Sequence, residues 1–261
     1  MNPEAASPRL PLSLVITTRD NRATLERCVR SVPFADEVLV LDSLSTDGTD
    51  SLAESLGARV VREAFRGFGP QKQRAIGLAR HDQVLLLDAD EALSDELAAE
   101  INTLLQAATE LPPCRLRREE WLYWRWPRAG TRLTDHLRLF DRRTVRMSDH
   151  PVHAAPRTDR PTRLLRGRLR HHGHADIGGQ LRRIDVYTSG AAHWRAGPAW
   201  LEGLRMILAP PVAFLREYVW RRQFLNGWAG YIAARLAATH AFLRHARRLE
   251  GKRRTPKSGS E

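Results

Sequence analysis

Cysteine is scarce. The 261 residues contain two, Cys28 and Cys114, too few for a disulfide framework and not spaced as metal ligands. A reducing, cytoplasmic setting fits that usage. Long apolar runs are scarce as well. The longest charge-free stretch of the C-terminal region, Gln223–Ala234, has 12 residues, whereas a membrane-crossing helix needs about 20. No signal-type apolar core appears in the opening "MNPEAASPRLPL", and residues 1–10 are expected to be a flexible leader. Neither G-x-G-x-x-G nor G-x-x-x-x-G-K-[ST] occurs, so dinucleotide and P-loop chemistry are not indicated. No repeat is found. Negative charge is in the minority: 30 Asp and Glu stand against 42 Lys and Arg, a net charge of +12. Such a chain favours anionic partners: nucleic acid, an anionic membrane or phosphorylated substrates.

The first hundred residues alternate between apolar runs and helical spacing. "LSLVITT" (12–18), "EVLVLDS" (37–43), "ARVVREA" (58–64) and "QVLLLDAD" (83–90) read as strands. Residues 22–32, 47–57, 70–80 and 94–108 read as helices, the last capped by Ser94. Near-continuous Val/Ile/Leu strands alternating with helices imply an α/β protein with a mainly parallel sheet covered on both faces. Ligands of such sheets bind beyond the carboxyl ends of the strands. There the chain places Thr17, Thr18, Arg19 and Asp20, then Asp42 and Ser43, then Asp88, Asp90 and Glu91. Residues 11–110 are thus expected to form a nucleotide-binding half. Residues 111–176, rich in Trp, Arg and His, are expected to form an acceptor-binding half. Residues 177–250 read as helices, and 251–261 as a disordered basic tail. Arginines beside Trp200, Trp220, Trp228 and Tyr231 suit helices lying in a membrane interface. An ordinary helical packing layer is the other reading.

Side chains two apart on an extended strand point the same way, so Asp88 and Asp90 are expected to share one space. Paired carboxylates there suit Mg²⁺ or Mn²⁺, completed by substrate phosphates; solvated acids ahead of the Ser94 helix are the plainer reading. Asp42 could accept a uracil imide N–H, or cap the following segment. Lys72 and Arg74, near the head of a helix, could neutralise phosphate or sit in solvent. His171, His172 and His174 are zinc ligands by type, but they lie on a strand without a spaced partner cluster.

"LSLVITTRDN", "VLVLDSLSTDGT", "GFGPQKQRA" and "LLLDADE" stand in the order and spacing of family 2 glycosyltransferases. "HLRLFD", "DHPVHA", "LRHHGHAD" and "FLNGWAGY" extend the resemblance over roughly residues 10–250, to bacterial lipopolysaccharide-core enzymes of the β-1,4-glucosyltransferase type. The resemblance implies a GT-A fold with a C-terminal helical, membrane-associating region. It implies inverting transfer of a sugar, glucose above others, from a UDP-sugar to a lipid-linked anionic glycan at the cytoplasmic face of the inner membrane. Carried over residue by residue, Thr17, Thr18 and Arg19 would line the base and ribose pocket and Asp42 would bind the base. Lys72 would sit near the diphosphate, Asp88 near the ribose and metal, and Asp90 on the metal with Glu91 in support. Three positions depart from the pattern. Thr18-Arg19-Asp20-Asn21 stands where Thr-Lys-Asn-Glu is usual. Leu44 replaces a glycine, and Ala154 replaces the glutamate of "VHE".

Inverting transfer needs a base for the acceptor hydroxyl, while a metal-bound nucleoside diphosphate leaves without a strong acid. The candidates are Asp149, His153 and Asp135, with Asp149 favoured two residues before "PVH"; each also has a structural reading. Polyprenyl phosphate or another surface glycan is the neighbouring acceptor class. A nucleotidyltransferase would want a Gly-rich basic loop that is absent. A nucleic-acid-binding protein would use the Arg and Trp near 115–128, but the strand-end carboxylates would repel phosphate, so nucleic acid is not expected as a partner.

Overall fold

The computed structural model describes residues 9–148, 154–173, 176–190 and 198–254. In chain order the strands are β1 (Leu12–Thr18), β2 (Glu37–Asp42), β3 (Arg59–Arg62), β4 (Gln83–Asp88), β5 (Glu91–Leu93), β6 (Cys114–Glu120), β7 (Thr134–Asp141), β8 (Arg146–Met147), β9 (Pro156–Arg157) and β10 (Arg163–His171). The helices are α1 (Arg22–Arg30), α2 (Thr49–Ser55), α3 (Phe68–Leu78), α4 (Asp95–Ala107), α5 (Ile177–Gly190), α6 (Ala199–Leu215) and α7 (Gly227–Arg254).

Eight strands form one mixed sheet in the order β3-β2-β1-β4-β7-β6-β10-β5. The first four run parallel, and β7 returns antiparallel to β4. Period-two alternation explains why the strand runs are apolar throughout. On one face Leu12, Leu14, Ile16, Leu85 and Leu87 meet Leu25 and Cys28 of α1 and Leu97 and Ile101 of α4. On the other face Val15, Leu39, Leu41, Val84 and Leu86 meet Ala75 and Ile76 of α3. Each fully buried Leu or Ile stabilises this core by roughly 1.5–3 kcal/mol. Ser94 caps α4, its side chain accepting from Leu97 N.

The chain forms two compact units. One holds the residues up to Glu119 together with Thr134–Gly173; the other holds Glu120–Leu133 and the residues from 174 onward. The expected border after residue 110 falls inside the first unit, because β6, β7 and β10 complete the sheet begun by β1–β4. Two residues of the expected leader are tied down as well. Arg9 pairs with Asp36 at 2.6 Å, and Leu10 N donates to Leu105 O.

In the helical unit, α6 contains Pro210 and Pro211. A π-helical turn at Arg216–Trp220 and a 3-10 turn at Gln223–Asn226 lead from it to α7. Buried Asn226 fixes that corner. Its Oδ1 accepts from Arg128 N at 2.7 Å, and its Nδ2 donates to Thr131 Oγ1 and Gln223 Oε1. A Cβ at Gly230 would lie 1.9 Å from the Gln223 carbonyl oxygen, so only glycine fits there. The buried pair Glu202–His245, 2.7 Å apart, joins α6 to α7. Residues 251–254, expected in a disordered tail, extend α7 instead; 255–261 lie outside the described residues. Among the described residues no helix is long and apolar enough to cross a membrane.

Candidate functional site

The parallel register brings the predicted rim together. Thr18 lies beside Asp42, and Thr17 beside Asp88, at the carboxyl ends of three adjacent strands. Two strand spacings, about 10 Å, separate Asp42 from Asp88.

At the Asp42 end the carboxylate is buried, and Ser45 engages both of its oxygens, through N at 2.8 Å and through Oγ. The loop after β2 is also stitched to the loop after β1. Asp20 N donates to Ser45 Oγ, Thr46 N donates to Asp20 Oδ1 at 2.7 Å, and Arg22 N donates to Asp47. Asp20, the shifted acid of the first motif, therefore serves as a loop tie. Leu44 takes φ +59°, a left-handed conformation that costs a branched residue roughly 1–2 kcal/mol, and it is exposed. Arg19 points outward, 3.6 Å from Asp20. Thr18 Oγ1 accepts from Asn21 Nδ2.

At the Asp88 end, Asp88 and Glu91 share Arg138, while Asp90 pairs with His171. Lys72 of α3 reaches Asp88 Oδ1 at 2.5 Å, and Arg138 of β7 reaches its Oδ2 at 3.0 Å. Burial pushes the Asp88 carboxyl up, but these two cations outweigh it and hold the group far below the usual carboxylate range. Glu91, fully buried, accepts from Arg138 at 2.6 Å, from Arg118 at 3.3 Å and from Asp88 N at 3.0 Å. Asp90 Oδ2 meets His171 Nε2 at 3.1 Å, and its carbonyl accepts from His172 N. Burial first, then Arg27 and the neighbouring His171 and Arg170, lowers His172 to about 4, leaving it neutral at pH 7.

The extended-strand geometry behind the expected sharing of one space by Asp88 and Asp90 does not continue to Asp90. β4 stops at Asp88, the chain turns at Ala89–Asp90, and β5 begins at Glu91, paired with β10. Alternation along an extended strand therefore ends before Asp90. The donor chemistry still suits a divalent cation at Asp90, whose carboxylate sits beside an imidazole; such an ion would complete its shell with water and phosphate oxygens. Asp88 fits less well in this arrangement, because its oxygens face two cations. No group of three or more His, Cys, Asp or Glu among the described residues has metal-holding geometry.

Of the candidate bases, Asp149 and His153 lie outside the described residues, as does His174. Asp135 is exposed on β7, 3.9 Å from Arg117. The flanks of the 149–153 segment are well placed. Met147 N donates to Gln73 Oε1 at 2.9 Å, and Ala154 lies against Gly69, where an added Cβ would approach it to 3.0 Å. Both flanks thus rest on α3, the helix that carries Lys72.

Sequence reading missed Arg138, Gln71 and His171 as parts of this region. Buried Gln71 links Ser43 Oγ to the chain at Arg66 N. Arg138 is the extra residue of a β-bulge: Cys114 pairs with Leu139 and Arg115 with Leu137, so one step of β6 spans two of β7. Bulges re-aim side chains in this way. An arginine between Leu137 and Leu139 was the available signal.

The model of glycosyl transferase family 2 matches residues 13–162. The chain is 29% identical over 249 residues to the lipopolysaccharide core biosynthesis glycosyltransferase LpsC of Rhizobium meliloti (strain 1021), covering 92% of each chain. It is 28% identical over 251 residues to the uncharacterized glycosyltransferase RP128 of Rickettsia prowazekii (strain Madrid E), covering 90% of this chain and 86% of that one. Among solved structures, glucosyl-3-phosphoglycerate synthase from Mycobacterium tuberculosis, in complex with Mn²⁺, uridine-diphosphate and glucosyl-3-phosphoglycerate, aligns with a TM-score of 0.36 and 25% identity. That match covers 45% of this chain and 47% of the synthase. Mannosyl-3-phosphoglycerate synthase from Rubrobacter xylanophilus aligns at 0.37 and 26%, over 42% of this chain and 40% of that one. The chain belongs to glycosyl transferase family 2, and its sheet is of the GT-A kind.

Proposed function

We propose, with membership of family 2 as the premise, that this glycosyltransferase moves a sugar, glucose above others, from a UDP-sugar to a lipid-linked anionic glycan of the lipopolysaccharide-core type. It would work with inversion, at the cytoplasmic face of the inner membrane, to which it attaches peripherally. The single observation that carries the donor half is the row Asp42, Thr18, Thr17, Asp88 along three strand ends, with Lys72 on Asp88. The likeness to LpsC over nearly the whole chain supports the acceptor class.

Asp42 keeps lone pairs beyond those given to Ser45, so a uracil imide can still find an acceptor there. Lys72 stands where the diphosphate would pass and can turn from Asp88 to phosphate oxygens. Asp90 would hold Mg²⁺ or Mn²⁺, which when bound neutralises the charge of the departing nucleoside diphosphate. Arg138 pairs with both Asp88 and Glu91 and offsets their charge without an ion. Asp149 remains our choice for the base, since both flanks of its segment rest on α3 near Lys72. A glutamate is missing at 154, so a neighbouring group has to take the acceptor's proton.

The test is UDP release from a panel of UDP-sugars with Mn²⁺, with and without deep-rough lipopolysaccharide, and with polyprenyl phosphate as the rival acceptor. Acceptor-dependent release with lipopolysaccharide is expected, falling at least about 100-fold in Asp90→Ala. Asp149→Asn should keep UDP binding and lose transfer. Release that is indifferent to lipopolysaccharide, or to Asp90→Ala, overturns the reading.

A further inference from the structure

The helical unit carries many large apolar side chains on the outside. Along α6, Trp200, Leu204, the adjacent pair Ile207 and Leu208, Val212 and Leu215 follow at helical spacing, and all are between 45% and 71% exposed. At 100° per residue they fall within one sector of roughly 140°. The π-helical turn continues the line through Val219, also exposed. The opposite side of α6 is accounted for: Glu202 and Ala213 are buried there, and Glu202 bonds His245 of α7. Arg205 and Arg216 fall along one margin of the sector, both exposed enough to reach outward. The stripe runs about 30 Å, longer than isolated exposed apolar residues require. Trp228 of α7 is exposed too.

We propose that this stripe of α6 is a membrane-docking face, lying in the plane of one leaflet, with Arg205 and Arg216 meeting the phosphates of anionic lipids. Charge decides between possible occupants. A second copy would bring the same arginines and the same net charge of +12 against the stripe, whereas an anionic bilayer supplies the opposite sign. An apolar sector edged by arginine, with tryptophan at its start, is the pattern of a helix seated at the boundary of headgroups and chains, and long arginine stems can lie along apolar surface while their heads stay in water. At 17 residues α6 is shorter than the about 20 that a crossing helix needs. The inference deepens the reading of a lipid-linked acceptor and rests on it only for its purpose, since binding to lipid needs no glycan.

Co-sedimentation with vesicles tests it, using the full chain and vesicles of phosphatidylglycerol and phosphatidylethanolamine that contain no glycolipid. Binding is expected, with weaker binding to phosphatidylcholine alone. Ile207→Glu/Val212→Glu, at exposed positions, should lower partitioning by about ten-fold or more while leaving UDP binding intact. Arg205→Gln/Arg216→Gln should lower it on the anionic vesicles and not on phosphatidylcholine. Unchanged partitioning of the double glutamate variant overturns the proposal. So does a dimer in vesicle-free solution that the same variant splits, because the face then belongs to a second copy. Vesicle binding without transfer to any lipid-linked glycan would overturn the acceptor reading and leave this face standing.

Discussion

Leu12, Leu14, Leu85 and Leu87 are fully buried in the sheet unit, which turns its charges toward one edge. In the helical unit the buried apolar positions among the described residues, apart from Leu122 and Ile184, are alanines: Ala213, Ala229, Ala234, Ala238 and Ala241. Trp200, Trp220, Trp228 and the branched aliphatics of the α6 stripe are exposed, and two polar pins, Asn226 and Glu202–His245, fix its geometry. The sheet unit draws its stability from apolar area. The helical unit relies on specific hydrogen bonds at its corners and leaves the apolar stripe of α6 exposed.

The sharpest way to break that contrast is at Arg138. Arg138→Met should cost about 3–5 kcal/mol, because Asp88 and Glu91 would then be left buried with one cation fewer. Urea unfolding measures it, and a cost under about 1 kcal/mol would mean that the two acids are neutralised by something else. A paired comparison comes next. Leu85→Ala should cost about 2–5 kcal/mol, while Ile207→Ala should stay within about 0.5 kcal/mol. Equal costs would erase the difference between the units. The smallest effect lies at the far end of β2. Burial pushes Glu37 up, but Ser13 Oγ, Arg80 N and Arg59 outweigh it and lower its pKa. A depressed folded-state value stabilises above the unfolded pKa of about 4.3 and loses that contribution as pH falls through the folded value. Glu37→Gln should therefore be less stable than the parent at pH 7, with the gap closing on acidification below about pH 4. A gap that persists at low pH would assign the effect to packing.

Much of the strand-end rim is legible in the sequence. Continuous apolar runs ending in Asp42 and Asp88 fix both the strands and the end at which polar groups collect, since a strand buried on both faces can change character only where it leaves the core. The parts that were not readable depend on pairing between distant segments. Strand alternation stops short of Asp90 because Glu91 opens a strand whose partner is β10. His171 reaches Asp90 through the same pairing. The inward aim of Arg138 comes from its register against β6, which no local period encodes. The stripe on α6 shows in the sequence as spacing alone; only burial on the opposite side, at Glu202 and Ala213, says which way it faces.

The bulge at Arg138 also makes the site sensitive to length as well as to residue type. Thr134 and His136, neither of them buried, could be exchanged with the bulge intact, yet removing either would draw β7 into even register and swing the guanidinium off Asp88. Substitution libraries would pass over those positions as tolerant, while single-codon deletions would mark them as forbidden.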